Sequence, residues 1–293
     1  MSTPEDPSTS TDVPSPASPT TPPPLTFDEA ERILWADAGP SYEAVYAGLC
    51  ARTVPDLLDA VAATTGTTLL DVGTGTGNTA RAAVARGAQV TAIDAEPTML
   101  DLARSKVPEA DFQLAIVPDL PFEPGTFDAV VGNFVLNHFG RPREALAALL
   151  AVTKPEGRVA LTLWPGERSA GRAVFPRAME ATPGWVHWDL PKLPEADDYP
   201  RTEEGLAELF REAGLENVST TVIDWEHHTT ADEWWISVGS GVAGSGRAYL
   251  MQEPEVRAAF HQNYLRVAAE MSDEDGTMRL PYRALLAVGT VKS

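Results

Sequence analysis

The run Leu69-Leu70-Asp71-Val72-Gly73-Thr74-Gly75-Thr76-Gly77 limits the fold of this chain more than any other stretch. A short apolar strand runs directly into three alternate glycines, residues that allow left-handed backbone turns and the close approach of another body. The chain then reads as a helix from Asn78 to Arg86, stopped by Gly87. The same rhythm returns downstream. Gln89 to Ile93 reads as a strand and Pro97 to Lys106 as a helix, with Pro97 suited to the first turn. Phe127 to Val131 reads as a strand and Arg143 to Val152 as a helix, and the turn Lys154-Pro155-Glu156-Gly157 leads into a strand from Arg158 to Trp164. Strands apolar on both faces, alternating with helices, predict a mostly parallel α/β sheet wrapped on both sides.

On either side of this block the pattern is looser. Residues 1–25 are rich in Pro, Ser and Thr and bury too little apolar surface to offset ordering entropy, which predicts a disordered tail. Order is expected from about Phe27, with helical spacing of Val54, Leu57, Leu58 and Val61 up to Thr65 and a stop at Gly66. Past Trp164, residues 165–201 show no clear period. Thr202 then reads as the N-cap of a helix carrying Leu206, Leu209, Phe210 and Ala213 on one face, with Gly214 as its stop. Val218 to Trp225 should be a strand, 226–277 a second insertion with helical stretches, and Pro281 to Val291 a last strand. The expected organisation is one α/β domain over 26–293, with insertions at about 165–201 and 226–277 that cover a substrate.

Composition acts mainly by exclusion. The formal charge is −20, with 22 Lys and Arg scattered among 42 Asp and Glu. Such a field repels a phosphate backbone, so a nucleic-acid partner is not expected. The longest apolar stretches, such as Ala145 to Val152, fall far short of the ~20 residues that cross a bilayer, and residues 1–24 lack the basic start and apolar run of a signal peptide. A single cysteine, Cys50, allows no internal disulfide and fits a reducing compartment. A cytoplasmic protein without membrane contact is the expectation.

In an open α/β sheet, ligands bind outside the carboxyl ends of the strands. Glycines in the turn after the first strand would present backbone N–H groups at a helix N-terminus, and Asp94, at the end of the second strand, could accept hydrogen bonds from both hydroxyls of a ribose. A dinucleotide site would call for G-x-G-x-x-G, whereas glycine stands here at 73, 75 and 77 but not at 78. Asp71, just before the turn, is unhelpful to a pyrophosphate and favourable to a cationic ligand. A purely structural glycine turn, or a nicotinamide site, are the competing readings of the motif alone.

The segment Leu69 to Gly77, followed by Val90-Thr91-Ala92-Ile93-Asp94-Ala95-Glu96-Pro97-Thr98-Met99-Leu100, resembles class I S-adenosylmethionine-dependent methyltransferases, in particular the group that includes the ubiquinone and menaquinone C-methyltransferases. Three further blocks carry the likeness: Asp119-Leu120-Pro121-Phe122 with Phe127-Asp128-Ala129-Val130, Asn133 to Phe139, and Lys154-Pro155-Glu156-Gly157. The likeness covers about residues 65–165. It implies a Rossmann-like, seven-stranded, mostly parallel sheet with S-adenosyl-L-methionine as cofactor. Asp71, Gly73, Thr74, Gly75 and Gly77 would surround its methionine part, with Asn133 nearby. Asp94 and Ala95 would hold the ribose, and Met99, Ile116 and Val117 would border the adenine. Many relatives carry an acidic residue where this chain has Ile116, so the adenine amino group would need a backbone carbonyl or water.

The resemblance implies methyl transfer to an O, N or C atom of a small molecule by in-line displacement; a protein of the same fold that binds the cofactor without transferring methyl is the alternative. Asn133 is followed by Phe-Val-Leu, not by the Pro-Pro-[Tyr/Phe] found in many amino-methylating enzymes of this fold. His138, at the carboxyl end of the fourth strand, is the candidate general base, with a structural role as the competing reading. His227-His228 would point to opposite faces of a strand and could not share one metal ion, so no metal is expected. Trp185, Trp188, Trp225, Trp234 and Trp235, five of the seven tryptophans, fall in or at the edge of the expected insertions and either pack them or line an aromatic acceptor site. Gly239 to Gly246 lacks the Lys-[Ser/Thr] of a phosphate loop and reads as a cover loop or a close helix contact. Tyr42 could close over the cofactor.

Overall fold

The computed structural model describes residues 25–188 and 191–293. The tail expected over 1–25 lies, apart from Leu25, outside them. Three helices lead in: α1 (Phe27–Trp35), α2 (Gly39–Cys50) and α3 (Val54–Ala60). A capping box fixes the start of α1, in which Thr26 Oγ1 accepts from the Glu29 N–H at 3.3 Å and the Thr26 N–H donates to Glu29 Oε2 at 2.8 Å. α3 stops well before Gly66. Ala62 takes a left-handed φ of 53°, and the Ala63 N–H reaches back to the Leu58 carbonyl at 3.0 Å. That is a Schellman closure made by alanine, which the helical spacing of the sequence does not reveal.

The repeating unit follows as read: β1 (Thr68–Val72), α4 (Asn78–Ala85), β2 (Gln89–Asp94), α5 (Pro97–Lys106), then β3 (Asp111–Leu114), β4 (Phe127–Gly132), α6 (Pro142–Val152) and β5 (Thr153–Leu163). β3 is a short edge strand without the apolar run that marks the others, so the sequence carries no signal for it. β5 begins at Thr153, before the expected Lys154 to Gly157 turn, and runs through it, with Glu156 at φ 63° and a shift of register against β4. Beyond it come α7 (Val174–Glu180), α8 (Glu203–Glu212), β6 (Glu216–Thr230), α9 (Ala231–Gly239), α10 (Ala243–Leu250), α11 (Pro254–Glu270) and β7 (Thr277–Thr290). Thr202 caps α8 as expected, accepting from the Gly205 N–H at 3.1 Å.

The seven strands form one sheet in the order β3-β2-β1-β4-β5-β7-β6. The first five are parallel, while β7 runs antiparallel between β5 and β6. This is the expected Rossmann-like α/β fold with one antiparallel end. Leu69 and Leu70 show why it needs cover on both faces. They are neighbours on β1, both fully buried, Leu69 among α3, α4 and α5 and Leu70 among α6 and α8. Each such side chain contributes about 1.5–3 kcal/mol by leaving water.

The last two strands differ from expectation in length. The second insertion spans α9 to α11 rather than 226–277, because residues 226–230 still pair with β7 from Pro281 back to Thr277. Charged and polar residues at 226 and 228 hide an alternation in which Trp225 and His227 face one way. β5 pairs with β7 only as far as Leu285, so the β6–β7 pair projects beyond the rest of the sheet. Met278, Leu280 and Tyr282 on that projection carry the helical cover, packing with Phe175 of α7, Trp234 of α9 and Phe260 and Tyr264 of α11. Among the described residues no helix is long and apolar enough to cross a membrane.

Candidate functional site

β1 lies between β2 and β4, where the strand order reverses, and a crevice opens outside the carboxyl ends of strands at such a point. The glycine turn stands there. Gly73, Gly75 and Gly77 all take left-handed φ values of 64°, 55° and 88°. A side chain at Gly73 would also stand 2.5 Å from Val135 Cγ2, so the turn tolerates only glycine at that position. The Thr74 N–H donates to the Ile93 carbonyl at 3.0 Å and ties the turn to the end of β2.

Two carboxylates meet at this turn. Thr74 Oγ1 donates to Asp71 Oδ2 at 2.6 Å, while Asp71 Oδ1 is buried without a hydrogen-bond partner, as is Thr76 Oγ1. Asp94 accepts from the Gly75 N–H at 2.8 Å and the Glu96 N–H at 2.9 Å. Burial pushes the Asp71 carboxyl up to about 7, with the nearby Asp94 adding to it and the Thr74 hydroxyl opposing. Burial also raises Asp94, against the backbone N–H groups that hold it. An unpartnered buried oxygen beside a second carboxylate is a costly arrangement that a cation bearing N–H donors would relieve.

Tyr42 of α2 lies over the turn, its ring 3.3 Å from where a Gly75 side chain would begin. Tyr42, Cys50, Gly73, Thr74, Thr76, Asn78 and Asn133 line a pocket of about 20 Å³, with Ala47, Ala51 and Thr79. That is room for one water, so a larger ligand requires the Tyr42 ring to move aside. Asn133 braces the pocket wall: its Oδ1 accepts from Thr53 Oγ1 at 2.7 Å and Thr162 Oγ1 at 2.6 Å, and its Nδ2 donates to the Cys50 carbonyl at 2.9 Å. Met99 is buried beside Ala38 and Val242, with Trp35 and Tyr42 packed against them. Ala95 is exposed next to Asp94. Ile116 is 48% exposed in a tight turn with Asp119, and Val117 packs against the α6–α8 face of the core. A larger groove of about 460 Å³ lies between Asp56, Asp59, Arg158 and the β6–β7 pair, at the amino end of β5 and away from the carboxyl ends of the parallel strands.

His138 follows β4 in a short 3-10 turn. Its Nδ1 meets Glu31 Oε2 at 2.8 Å, and Trp35 Nε1 donates to the same oxygen at 3.0 Å. Glu31 is only 6% exposed. A carboxylate can only accept, so Nδ1 carries the proton and Nε2 of the neutral ring is left as an acceptor. Sequence reasoning missed Glu31, which on its own reads as one more carboxylate on an acidic helix.

His227 sits among Trp234 and Tyr282, with ring centroids 5.4 and 6.3 Å away, whereas His228 turns to Glu226 at 2.6 Å. They lie on opposite faces of β6, as the strand reading requires. Among the described residues no group of three or more potential metal ligands occurs. Trp225 belongs to β6 rather than to an insertion, and Trp234 and Trp235 belong to α9. In the Gly239 to Gly246 stretch, a side chain at Gly246 would stand 2.5 Å from the Gly241 backbone, so α10 packs closely on the turn that follows α9.

Residues 70–161 match the family model described as a methyltransferase domain. Demethylmenaquinone methyltransferase of Renibacterium salmoninarum is 38% identical over 103 residues, which is 35% of this chain and 44% of that protein. Ubiquinone biosynthesis O-methyltransferase of Xanthomonas campestris pv. campestris is 39% identical over 116 residues, 37% of this chain and 48% of that protein. The chain thus spans about half the length of the curated relatives it matches. Among solved structures, the YcgJ protein of Bacillus subtilis aligns with 82% of this chain and 98% of its own at a TM-score of 0.51 and 18% identity. The [4+2]-cyclase SpnF aligns with 92% and 99% at a TM-score of 0.56 and 18% identity. These two likenesses establish the fold. The strand-and-glycine core of this chain, residues 70–161, is thus similar to the methyltransferase domain family and is carried on a Rossmann-like fold.

Proposed function

We propose that the chain is an S-adenosyl-L-methionine-dependent methyltransferase acting on a small molecule, in the cytoplasm. The observation that carries this reading is the pair Asp71 and Asp94 across the glycine turn, with Asp71 Oδ1 buried and unpartnered. Asp71 would face the ammonium and sulfonium charges, directly or through water, and the second lone pairs of Asp94 would accept from the ribose hydroxyls. Gly73 and Gly75 leave room for the methionine part, Met99 borders the adenine, and the backbone at Ile116 and Val117 serves its amino group.

When bound, the cofactor supplies a methyl carbon whose bond to a cationic sulfur breaks as a lone pair of the acceptor attacks. The chain's own work is alignment, exclusion of water and removal of a proton. His138, oriented by Glu31, would take the acceptor's proton at Nε2. The helices α7 and α9 to α11 would serve as the cover over the acceptor.

Titration calorimetry with S-adenosylhomocysteine tests the reading. The wild-type chain should bind it, and Asp94→Ala should weaken binding at least about tenfold, the loss of a charge-assisted hydrogen-bond pair. Equal affinities would remove Asp94 from the site. Incubation with methyl-labelled cofactor and small-molecule extract should place label in an organic-soluble product; tight binding without labelled product would support the alternative, a chain that binds the cofactor without transferring methyl.

A further inference from the structure

The lead-in helices α1 and α2 lie outside residues 70–161, and between them they set one tryptophan against both halves of the site. Trp35 is the last residue of α1. Its ring meets the His138 ring edge-on at 5.2 Å and the Tyr42 ring edge-on at 5.9 Å. Its Nε1 donates at 3.0 Å to Glu31 Oε2, the same oxygen that holds His138 Nδ1 at 2.8 Å. Trp35 and Tyr42 also share the packing around Met99, Ala38 and Val242. Among the described residues no other aromatic ring touches both Tyr42 and His138.

Tyr42 is the piece that has to move. Its ring stands 3.3 Å from where a Gly75 side chain would begin, and the pocket beside it measures about 20 Å³. A ligand larger than water displaces the ring, which is a direct preference for one of its positions over another. The start of α2 is fastened to α5 and does not carry the ring away. The Gly39 N–H donates to Thr98 Oγ1 at 3.2 Å, and a side chain at Gly39 would stand 2.8 Å from the Thr98 carbonyl oxygen. Just beyond Tyr42, Glu43 pairs with Lys106 at 2.7 Å. The ring therefore yields by turning about its own side-chain bonds. Its ring neighbours are Trp35 and Tyr46, the latter stacked at 6.3 Å and backed by Trp234 at 5.9 Å. A turn of Tyr42 changes its contact with Trp35, which is only half-buried.

Glu31 carries the change onward. It is 6% exposed, and its Oε2 takes both the indole and the imidazole N–H. Two donors on one oxygen share its charge, so altering one bond alters the other. We propose that Trp35 is a positioning residue that ties the orientation of His138 to occupancy of the cofactor crevice. Entry of the ligand turns Tyr42, Tyr42 shifts the indole, and the indole resets the grip of Glu31 on Nδ1. The proposal rests on the methyltransferase reading above, and under it the base is set only once the methyl donor is in place.

The test is nuclear magnetic resonance of the full chain labelled with nitrogen-15 in histidine and tryptophan, at about pH 8, above the ordinary imidazole range. The probe is S-adenosylhomocysteine, and His138→Gln and Trp35→Phe assign the two residues. In the wild type, saturation should move both the Trp35 indole N–H and the His138 ring-nitrogen resonances. Trp35→Phe keeps an aromatic ring and loses the donor; it should still bind the probe, with the His138 response abolished. Tyr42→Ala without the probe should already show the Trp35 and His138 resonances displaced toward their saturated positions. The wild-type indole reports without any variant, so the proposal does not hang on one substitution folding. Saturated wild type with either resonance unmoved, a His138 response that survives Trp35→Phe, or Tyr42→Ala resonances identical to the free wild type would each overturn the coupling. A wild-type chain that does not bind S-adenosylhomocysteine overturns the methyltransferase reading instead.

Discussion

Asp71 is dictated by position and penalised by surroundings. It occupies the inner strand β1, paired with Ala92 on one side and Val131 on the other, and is fully buried. Burial raises its carboxyl to about 7, so near neutrality the folded chain binds a proton that the unfolded chain, with its ordinary carboxyl near 4, has released. Between those values the folded state holds more protons, and this group's contribution to stability declines as pH rises toward 7. Ligand binding runs the other way: a cation needs the carboxylate, so affinity is present above about 7 and lost as pH falls through it. S-adenosylhomocysteine, which keeps the ammonium, should bind roughly tenfold more weakly at pH 6 than at pH 8. Asp71→Asn should bind weakly at both and melt higher than wild type at pH 8 but not at pH 4. An affinity in the wild type that is flat across this range would show that Asp71 is not a charged contact of the ligand.

At the scale of elements, α1 is fastened to the turn after β4 at two points. The Gly140 N–H donates to Asp28 Oδ1 at 2.9 Å, and Glu31 holds His138. Glu31→Gln keeps an acceptor for the ring and removes the charge that steadies a protonated imidazole. If His138 is the base, kcat should fall about tenfold or more with little change in KM for the cofactor. An unchanged kcat would reduce the pair to a structural tie. The sequence reveals this region unevenly, for reasons of chemistry. β1, β2 and α5 announce themselves because buried parallel strands are apolar on both faces and glycine has few uses as specific as a left-handed turn. The glycine turn and Asp94 were legible on those grounds. The edge strand β3, with only Phe112 buried, has no such constraint to display. The extension of β6 through residues 226–230 was hidden because one face of that strand is solvated and charged. Glu31 was illegible because an isolated charge in an acidic chain carries no period. Its meaning comes only from what folding brings beside it, His138 from over a hundred residues away.

For the whole molecule the governing quantity is the excess of 42 acidic over 22 basic residues. Ion pairs such as Arg283 with Asp224 at 2.7 Å and Arg104 with Asp101 at 3.1 Å are about half exposed or more, so solvent screens them and each adds little to stability. Salt would weaken these few pairs slightly. It would also screen the mutual repulsion of a surface carrying a net charge of −20, which acts over many pairs at once and is relieved by expansion of the chain. Raising ionic strength from about 0.01 M to 0.15 M shortens the screening length from ~30 Å to ~8 Å, from a large part of the width of the domain to the spacing of near neighbours. The long-range repulsion should therefore lose more than the close pairs do. Thermal melts at constant pH in sodium chloride should show Tm rising by about 2 °C or more over that interval, corresponding to roughly 1 kcal/mol for a chain of this size. A Tm that falls instead would mean that local pairing, such as that of Lys154 with Asp128 and Lys106 with Glu43, outweighs the net field.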